Sequence, residues 1–166
     1  MDDLVSHLPR LRRYARALTG DRHQADDLVQ DTLERALAKQ SLWRRGSRLD
    51  SWLMTIMHNV FVNQIRSRQS QTTEALDELP FEPSERGTQH DALEVRDVHA
   101  ALALLPYEQK SVLLLVTLDE RSYEETARIL DIPLGTVMSR LSRARDRLRA
   151  LLEGRPPQQP ALKVVK

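Results

Sequence analysis

The sequence predicts an all-α protein built as two small helical domains joined by a flexible linker. Three observations carry that prediction. No proline occurs between Pro9 and Pro80, and only Gly20 and Gly46 interrupt that span, so long stretches lack the residues that break helices. Apolar residues within those stretches recur at three- and four-residue steps, the repeat of one helix face. Aromatic residues make up only 4% of the chain, which argues against a β-sandwich, whose pleated faces favour them.

Helical segments are expected near residues 4–18, 23–40 and 50–68. In the second, Ala25, Leu28, Val29, Thr32, Leu33, Ala36 and Leu37 fall on one face and should be core. In the third, Trp52, Leu53, Ile56, Met57, Val60 and Phe61 read as packing residues. From Gln69 to Gln89 the periodicity stops, and Pro80, Pro83, Gly87 and several acids appear, the composition of a mobile linker. Asp91–Leu104 reads as a helix, Pro106 suits the first turn of another running to about Leu118, and Asp119–Arg121 form a loop. After Glu153 the run Gly154, Arg155, Pro156, Pro157 cannot continue a helix, and a disordered tail is expected. The expected division is 1–68, a linker over 69–90, a second domain over 91–153 and a tail over 154–166.

Charge is distributed unevenly along the chain. Residues 1–68 hold 12 Lys/Arg against 8 Asp/Glu, residues 69–98 hold 2 against 8, and residues 99–166 hold 11 against 8. Two basic bodies joined by an acidic strip suit a polyanion-binding protein with a self-repelling spacer, although ordinary solvated faces would read the same way. There are no cysteines, so disulfides and thiolate metal sites are excluded together. No stretch approaches the roughly 18 apolar residues of a membrane span, and Met1–Arg13 lacks the apolar core of a signal peptide. A cytoplasmic protein without membrane insertion is expected. The five histidines are scattered, and neither HExxH nor a phosphate loop occurs, so neither catalysis, a metal, a cofactor nor a small-molecule substrate is expected.

The most informative stretch lies near the C-terminus. Ser122-Tyr123-Glu124-Glu125 has the form of a capping box, in which serine and glutamate side chains satisfy each other's backbone amides. The helix it opens should bury Ala127 and Leu130, then meet a turn over Asp131–Gly135. A second helix is expected from about Thr136 to Leu152. Val137, Leu141, Ala144 and Leu148 share its inner face; Ser139, Ser142, Arg143 and Asp146 lie opposite, flanked by Thr136, Met138, Arg140 and Arg147. This is a helix-turn-helix whose second helix offers hydroxyls and arginines to base edges and phosphates. A surface helix with merely solvated arginines is the alternative, and the cap, the turn and the arginines together weigh against it.

Tyr123–Ala127 and Ile132–Arg145 resemble the C-terminal domain of extracytoplasmic-function (ECF) sigma factors of the sigma-70 family, and Leu105–Gln109 resembles the segment opening that domain's second helix. Independently, Ala25–Ala36 resembles the family's polymerase-binding helix. The resemblance spans about 8–72 and 92–152. Two positions depart from it: Met138 stands where the family often carries lysine or arginine, and Asp131 replaces a common glycine at the helix end, a conformation aspartate tolerates.

The resemblance implies roles for particular residues. Asp27, Gln30 and Asp31, with Leu37 at their edge, would dock on a coiled coil of core RNA polymerase; a plain solvated acidic face is the alternative. The segment Ser41–Arg48 sets Trp43 among Arg44, Arg45 and Arg48, a combination suited to single-stranded DNA, with arginine on phosphate and an aromatic face on an extruded base. By resemblance it would hold the minus-ten strand, with Asn59 on the flipped base and Asn63 and Arg66 further along the helix; Trp43 would serve equally as a cap on the core. Ser139, Ser142 and Arg143 would read the minus-thirty-five element of promoter DNA, with Thr136, Arg140 and Arg147 on phosphates and Met138 beside them. The family also implies an anti-sigma factor as partner.

A competing reading is a helix-turn-helix transcriptional regulator with a helical sensor or dimerisation domain, which would bind duplex DNA alone. An adaptor that mimics DNA is a third, disfavoured by the arginines of the last helix.

Overall fold

The computed structural model describes residues 3–72 and 90–154; most of the expected linker and all but the first residue of the expected tail lie outside the described residues. Among the described residues there are helices and no strand, as predicted: α1 (Leu4–Thr19), α2 (Arg22–Ala38), a short 3-10 turn (Gln40–Leu42), α3 (Leu49–Thr72), α4 (His90–Ala103), α5 (Tyr107–Thr117), α6 (Tyr123–Leu130) and α7 (Leu134–Leu152).

Local chemistry sets the ends of these helices. Gly20, at φ 70°, takes the left-handed conformation and donates its N–H to Arg16 O, closing α1. One residue later the Asp21 carboxylate accepts from Gln24 N at 3.0 Å and opens α2. Helix α3 runs four residues past the expected end at 68, because neither proline nor glycine occurs between Gly46 and Pro80 to stop it.

In the helix-turn-helix, the Ser122 hydroxyl accepts from Glu125 N at 3.1 Å. The expected reciprocal bond from Glu125 is not what its carboxylate makes: it pairs with Arg48 and Arg121, since two guanidinium groups hold a carboxylate better than one backbone amide. Helix α6 buries Thr126, Ile129 and Leu130, and Ala127 is only half-buried. Asp131 caps α6 in the left-handed conformation (φ 53°, ψ 52°), as its short polar side chain allows. The turn is tighter than expected. Extended Pro133 is the N-cap of α7, so the helix starts at Leu134 and Gly135 lies inside its first turn.

Helix α2 packs between α1 and α3, and α7 packs on α5, α6 and α4. The two groups of helices touch through α3 with α6 and through α1 with α5 and α4, so one apolar cluster runs from Leu28, Leu53 and Met57 to Val112, Leu115 and Val137. Each of these side chains is fully buried, contributing about 1.5–3 kcal/mol by leaving water. Buried Thr32 satisfies its hydroxyl on Leu28 O at 2.7 Å, which removes the penalty of an unpaired polar group in this core.

Helices α1 and α5 run antiparallel and cap each other. Lys110, near the start of α5, is buried and donates to Leu18 O at 3.0 Å; His99 Nε2 lies 3.4 Å from Gly20 O. In return Arg10 of α1 donates to Asp119 O at 2.8 Å, beyond the end of α5. Each helix thus receives cationic donors at its negative C-terminal end from the other group. Burial holds the Lys110 ammonium below its usual pKa.

Candidate nucleic-acid and polymerase interfaces

Helix α7 presents the face the sequence indicates. Val137, Leu141 and Ala144 are buried, while Ser139, Ser142, Arg143 and Asp146 are exposed. Ser139 donates to Thr136 O at 3.2 Å, which leaves its oxygen lone pairs outward. Met138 is 52% exposed and Leu134, one turn earlier, is 41% exposed, so the front of the helix mixes an apolar strip with hydroxyls and arginine. Arg140 and Arg147 are half-buried. The charge of Arg140 acts on His58 of α3.

On α3, Asn59, Asn63 and Arg66 are exposed at spacings of four and three residues, forming one stripe. His58, beside Asn59, is largely buried with Nδ1 unpartnered. Burial, and then the Arg140 charge, push its pKa down to about 4. The sign follows from linkage: the unfolded chain takes this proton near pH 6.5 and the folded chain only near 4. Stability from this group is therefore complete above about pH 6.5 and falls as pH drops toward 4, by up to about 3 kcal/mol. Ring-proton titration by NMR should place the His58 midpoint well below 6.5, and His58→Gln should flatten the acid limb of a denaturation series by that amount.

The loop before α3 is built on a turn, with Ser47 Oγ and N both donating to Arg44 O and Gly46 at φ 95°. Arg44 and Arg45 project from it, exposed. Trp43 is half-buried, packs on the core and has Nε1 buried without a partner. Arg48 is ion-paired at 2.5 Å with Glu125 of α6 and at 3.1 Å with Asp50. Trp43 is therefore a core-packing residue at the base of this loop, and Arg48 is engaged by the second group of helices.

The acidic helix divides in two. Gln30 and Leu37, the latter 55% exposed, open onto a groove of about 540 Å³ between α1 and α2. Val29 and Leu33 line its apolar part, Arg12, Arg16 and Arg22 contribute cations, and Asp26 and Glu34 contribute acids. Asp27 is exposed away from that groove, and half-buried Asp31 accepts from Gln64 of α3 at 2.9 Å.

Sequence reading missed an ionic cluster between the two groups of helices. Arg121, 3% exposed, donates to Asp119 at 2.7 Å and to Ser51 at 2.8 Å, and its Nη2 lies 3.0 Å from the Asp50 carboxylate. Arg10 bonds Asp119 and approaches Asp50 at 3.4 Å. Burial alone would raise the Asp50 pKa, but Arg121, the Ser51 amide and Arg48 outweigh it and hold the carboxyl below its ordinary value. Nearby, Phe61 of α3 and Tyr107 of α5 meet edge to face, 6.1 Å between ring centres. These partners come from distant parts of the chain, so no local pattern announces them.

Comparison with known proteins connects this geometry to a family. Residues 4–58 match the family model described as the Sigma2 domain of PhyR, and residues 96–148 match Sigma-70, region 4. The ECF RNA polymerase sigma factor EcfG of Rhodopseudomonas palustris is 40% identical over 151 residues, which cover 91% of this chain and 83% of that protein. The chain belongs to the ECF sigma factor family. ECF sigma factor SigE of Mycolicibacterium smegmatis is 36% identical over 157 residues, with 61% of its length covered. The sigma factor RpoE of Bartonella quintana, solved in complex with the anti-sigma factor NepR, superposes with a TM-score of 0.75 at 36% identity, over 92% of this chain and 95% of that one. Membership sets aside the competing regulator reading and places the chain in a family of non-catalytic transcription regulators. No helix among the described residues is long and apolar enough to cross a membrane.

Proposed function

We propose that this sigma factor directs bacterial core RNA polymerase to promoters through two separate DNA surfaces and helps to open them in the cytoplasm. Residues 1–68 form the polymerase-binding and minus-ten domain, 69–90 the linker and 91–153 the minus-thirty-five domain. The observation that carries this reading is the exposed Ser139, Ser142 and Arg143 face of α7, held rigid by buried Val137, Leu141 and Ala144. Thr136, Arg140 and Arg147 add phosphate contacts, and Met138 supplies apolar contact. Arg44, Arg45, Asn59, Asn63 and Arg66 hold the melted minus-ten strand against Trp43, with Arg48 joining them when its ion pairs open.

Asp27, Gln30, Asp31 and Leu37 dock on the polymerase coiled coil. Asp31→Arg should weaken binding of labelled protein to core polymerase by about tenfold, the 1.4 kcal/mol scale of one interfacial charge; affinity that stays at the wild-type value removes Asp31 from the contact. Control by an anti-sigma factor is supported by the B. quintana neighbour, which was solved bound to one.

Run-off transcription with purified core polymerase on a promoter library tests the whole reading. Specific initiation dependent on this chain is expected; none, where a known sigma factor works in parallel, would refute it.

A further inference from the structure

We propose that Leu134 and Met138 form an apolar strip at the front of α7 that reads the C5-methyl group of a pyrimidine, thymine above all, in the minus-thirty-five element. The inference rests on the two-surface reading of promoter recognition and deepens it by naming the base chemistry that this end of the helix selects.

Exposure singles out the pair. The apolar residues elsewhere on α7 serve packing: Val137, Leu141 and Ala144 are buried, and Leu148 and Leu151 lie against the core. Leu134 and Met138 are 41% and 52% exposed and stand outside that cluster. A single exposed leucine is ordinary on a protein surface, and Leu152, at the far end of the helix, is one. Leu134 and Met138 differ in being four residues apart, so their side chains adjoin on one face, about 6 Å apart along the axis. Ser142, also exposed, is the next member of the same row. The strip therefore continues into the face proposed to read bases.

The front of the helix is also open. Leu134 is the first residue of α7, and the N-terminal turns of a recognition helix are the part that meets base edges. Extended Pro133 caps the helix without a side-chain bond, and a Cβ at Gly135 would meet nothing within 4 Å. The first turn carries no acid to repel phosphate, whereas α6 opens on a serine cap with Glu124 and Glu125 in its first turn.

Major-groove chemistry then selects the ligand. Base pairs present donors, acceptors and one apolar group, the thymine methyl. An apolar side chain set against the cytosine amino group or a purine N7 strips water from it and returns no hydrogen bond. Against a methyl group the same side chain removes apolar surface from water. Methionine suits this contact, because its flexible, polarizable thioether adapts to the shape it meets. A strip about 6 Å long covers roughly two base-pair steps of about 3.4 Å, so it reads one pyrimidine or two adjacent ones.

The test uses the full chain with core polymerase, on a promoter selected from the run-off library. Each thymine of its minus-thirty-five element, on either strand, is replaced in turn by deoxyuridine, which removes the methyl group and keeps the pairing edge. Substituted and parent templates compete in one reaction. At one position or two neighbouring ones, deoxyuridine should lower initiation about three- to fourfold, the scale of burying one methyl group. There 5-methylcytosine, which places a methyl group at the same point in the groove, should outperform cytosine by a similar factor. Met138→Ser and Leu134→Ser, both at exposed positions, should bring the thymine-to-deoxyuridine ratio toward one where each makes contact. An element with no methyl-sensitive thymine, or a ratio unchanged in both variants, would overturn the strip. So would weaker binding of the serine variants to core polymerase with the ratio retained, since the strip would then face the polymerase. Specific initiation that is indifferent to the methyl group removes this inference alone; no chain-dependent initiation from any promoter removes the two-surface reading along with it.

Discussion

Replacing Arg121 by methionine should destabilise the folded chain by about 3 kcal/mol, the scale of breaking a buried ion pair by removing one partner. The guanidinium is 3% exposed and touches Asp50, Ser51, Asp119 and Glu125 together. Methionine fills much of the volume but leaves Asp119, itself 2% exposed, with Arg10 as its remaining cation. Chemical denaturation followed by circular dichroism measures the loss. The double variant Arg121→Met with Asp119→Asn should recover part of it, because the carboxylate charge disappears along with its partner. A single-variant loss under about 1 kcal/mol would mean that water or Arg10 solvates the site fully.

Arg143→Ala should reduce transcription from promoters that depend on the minus-thirty-five element by about 10- to 100-fold, the 1–3 kcal/mol of one arginine-to-base contact. Arg143 is exposed on the outer face of α7, opposite Leu141 and Ala144, so its truncation leaves the core intact and the loss reports recognition. Relaxed preference at one base position would identify the base it reads. Uniform weakening across the library, with a smaller salt dependence, would instead make it a phosphate contact. Arg149→Ala, exposed further along the same helix, serves as the control.

Much of the fold was legible because its signals are local. Gly20, Ser122 and Asp131 act on amides and carbonyls within one helical turn, and each is readable from its neighbours; the Asp21 cap of α2 is equally local, although the sequence reading does not single it out. The boundary errors have equally local causes. Composition assigns Gly135 to the turn, whereas Pro133 already caps the helix and leaves Gly135 inside it. The candidate DNA face of α7 was legible for the same reason: spacing alone places Val137, Leu141 and Ala144 opposite Ser139, Ser142 and Arg143. Leu37 was a harder case. Its spacing assigns it to the core face of α2, yet it is 55% exposed, because the helix is ending and the groove toward α1 opens there.

The sequence by itself determined the all-α class, the order of the helices and the two faces of α7. Helix period, capping and breaking act over four residues or fewer, and those are visible in a string of letters. Only the tertiary structure decided that Asp119 and Arg121 are buried hubs instead of ordinary loop residues, that Arg48 is held by Glu125, and that Lys110 caps a helix in the other domain. Those contacts join residues as far apart as Arg10 and Asp119. Their strength depends on desolvation at a junction between helices, and composition and spacing carry no record of that.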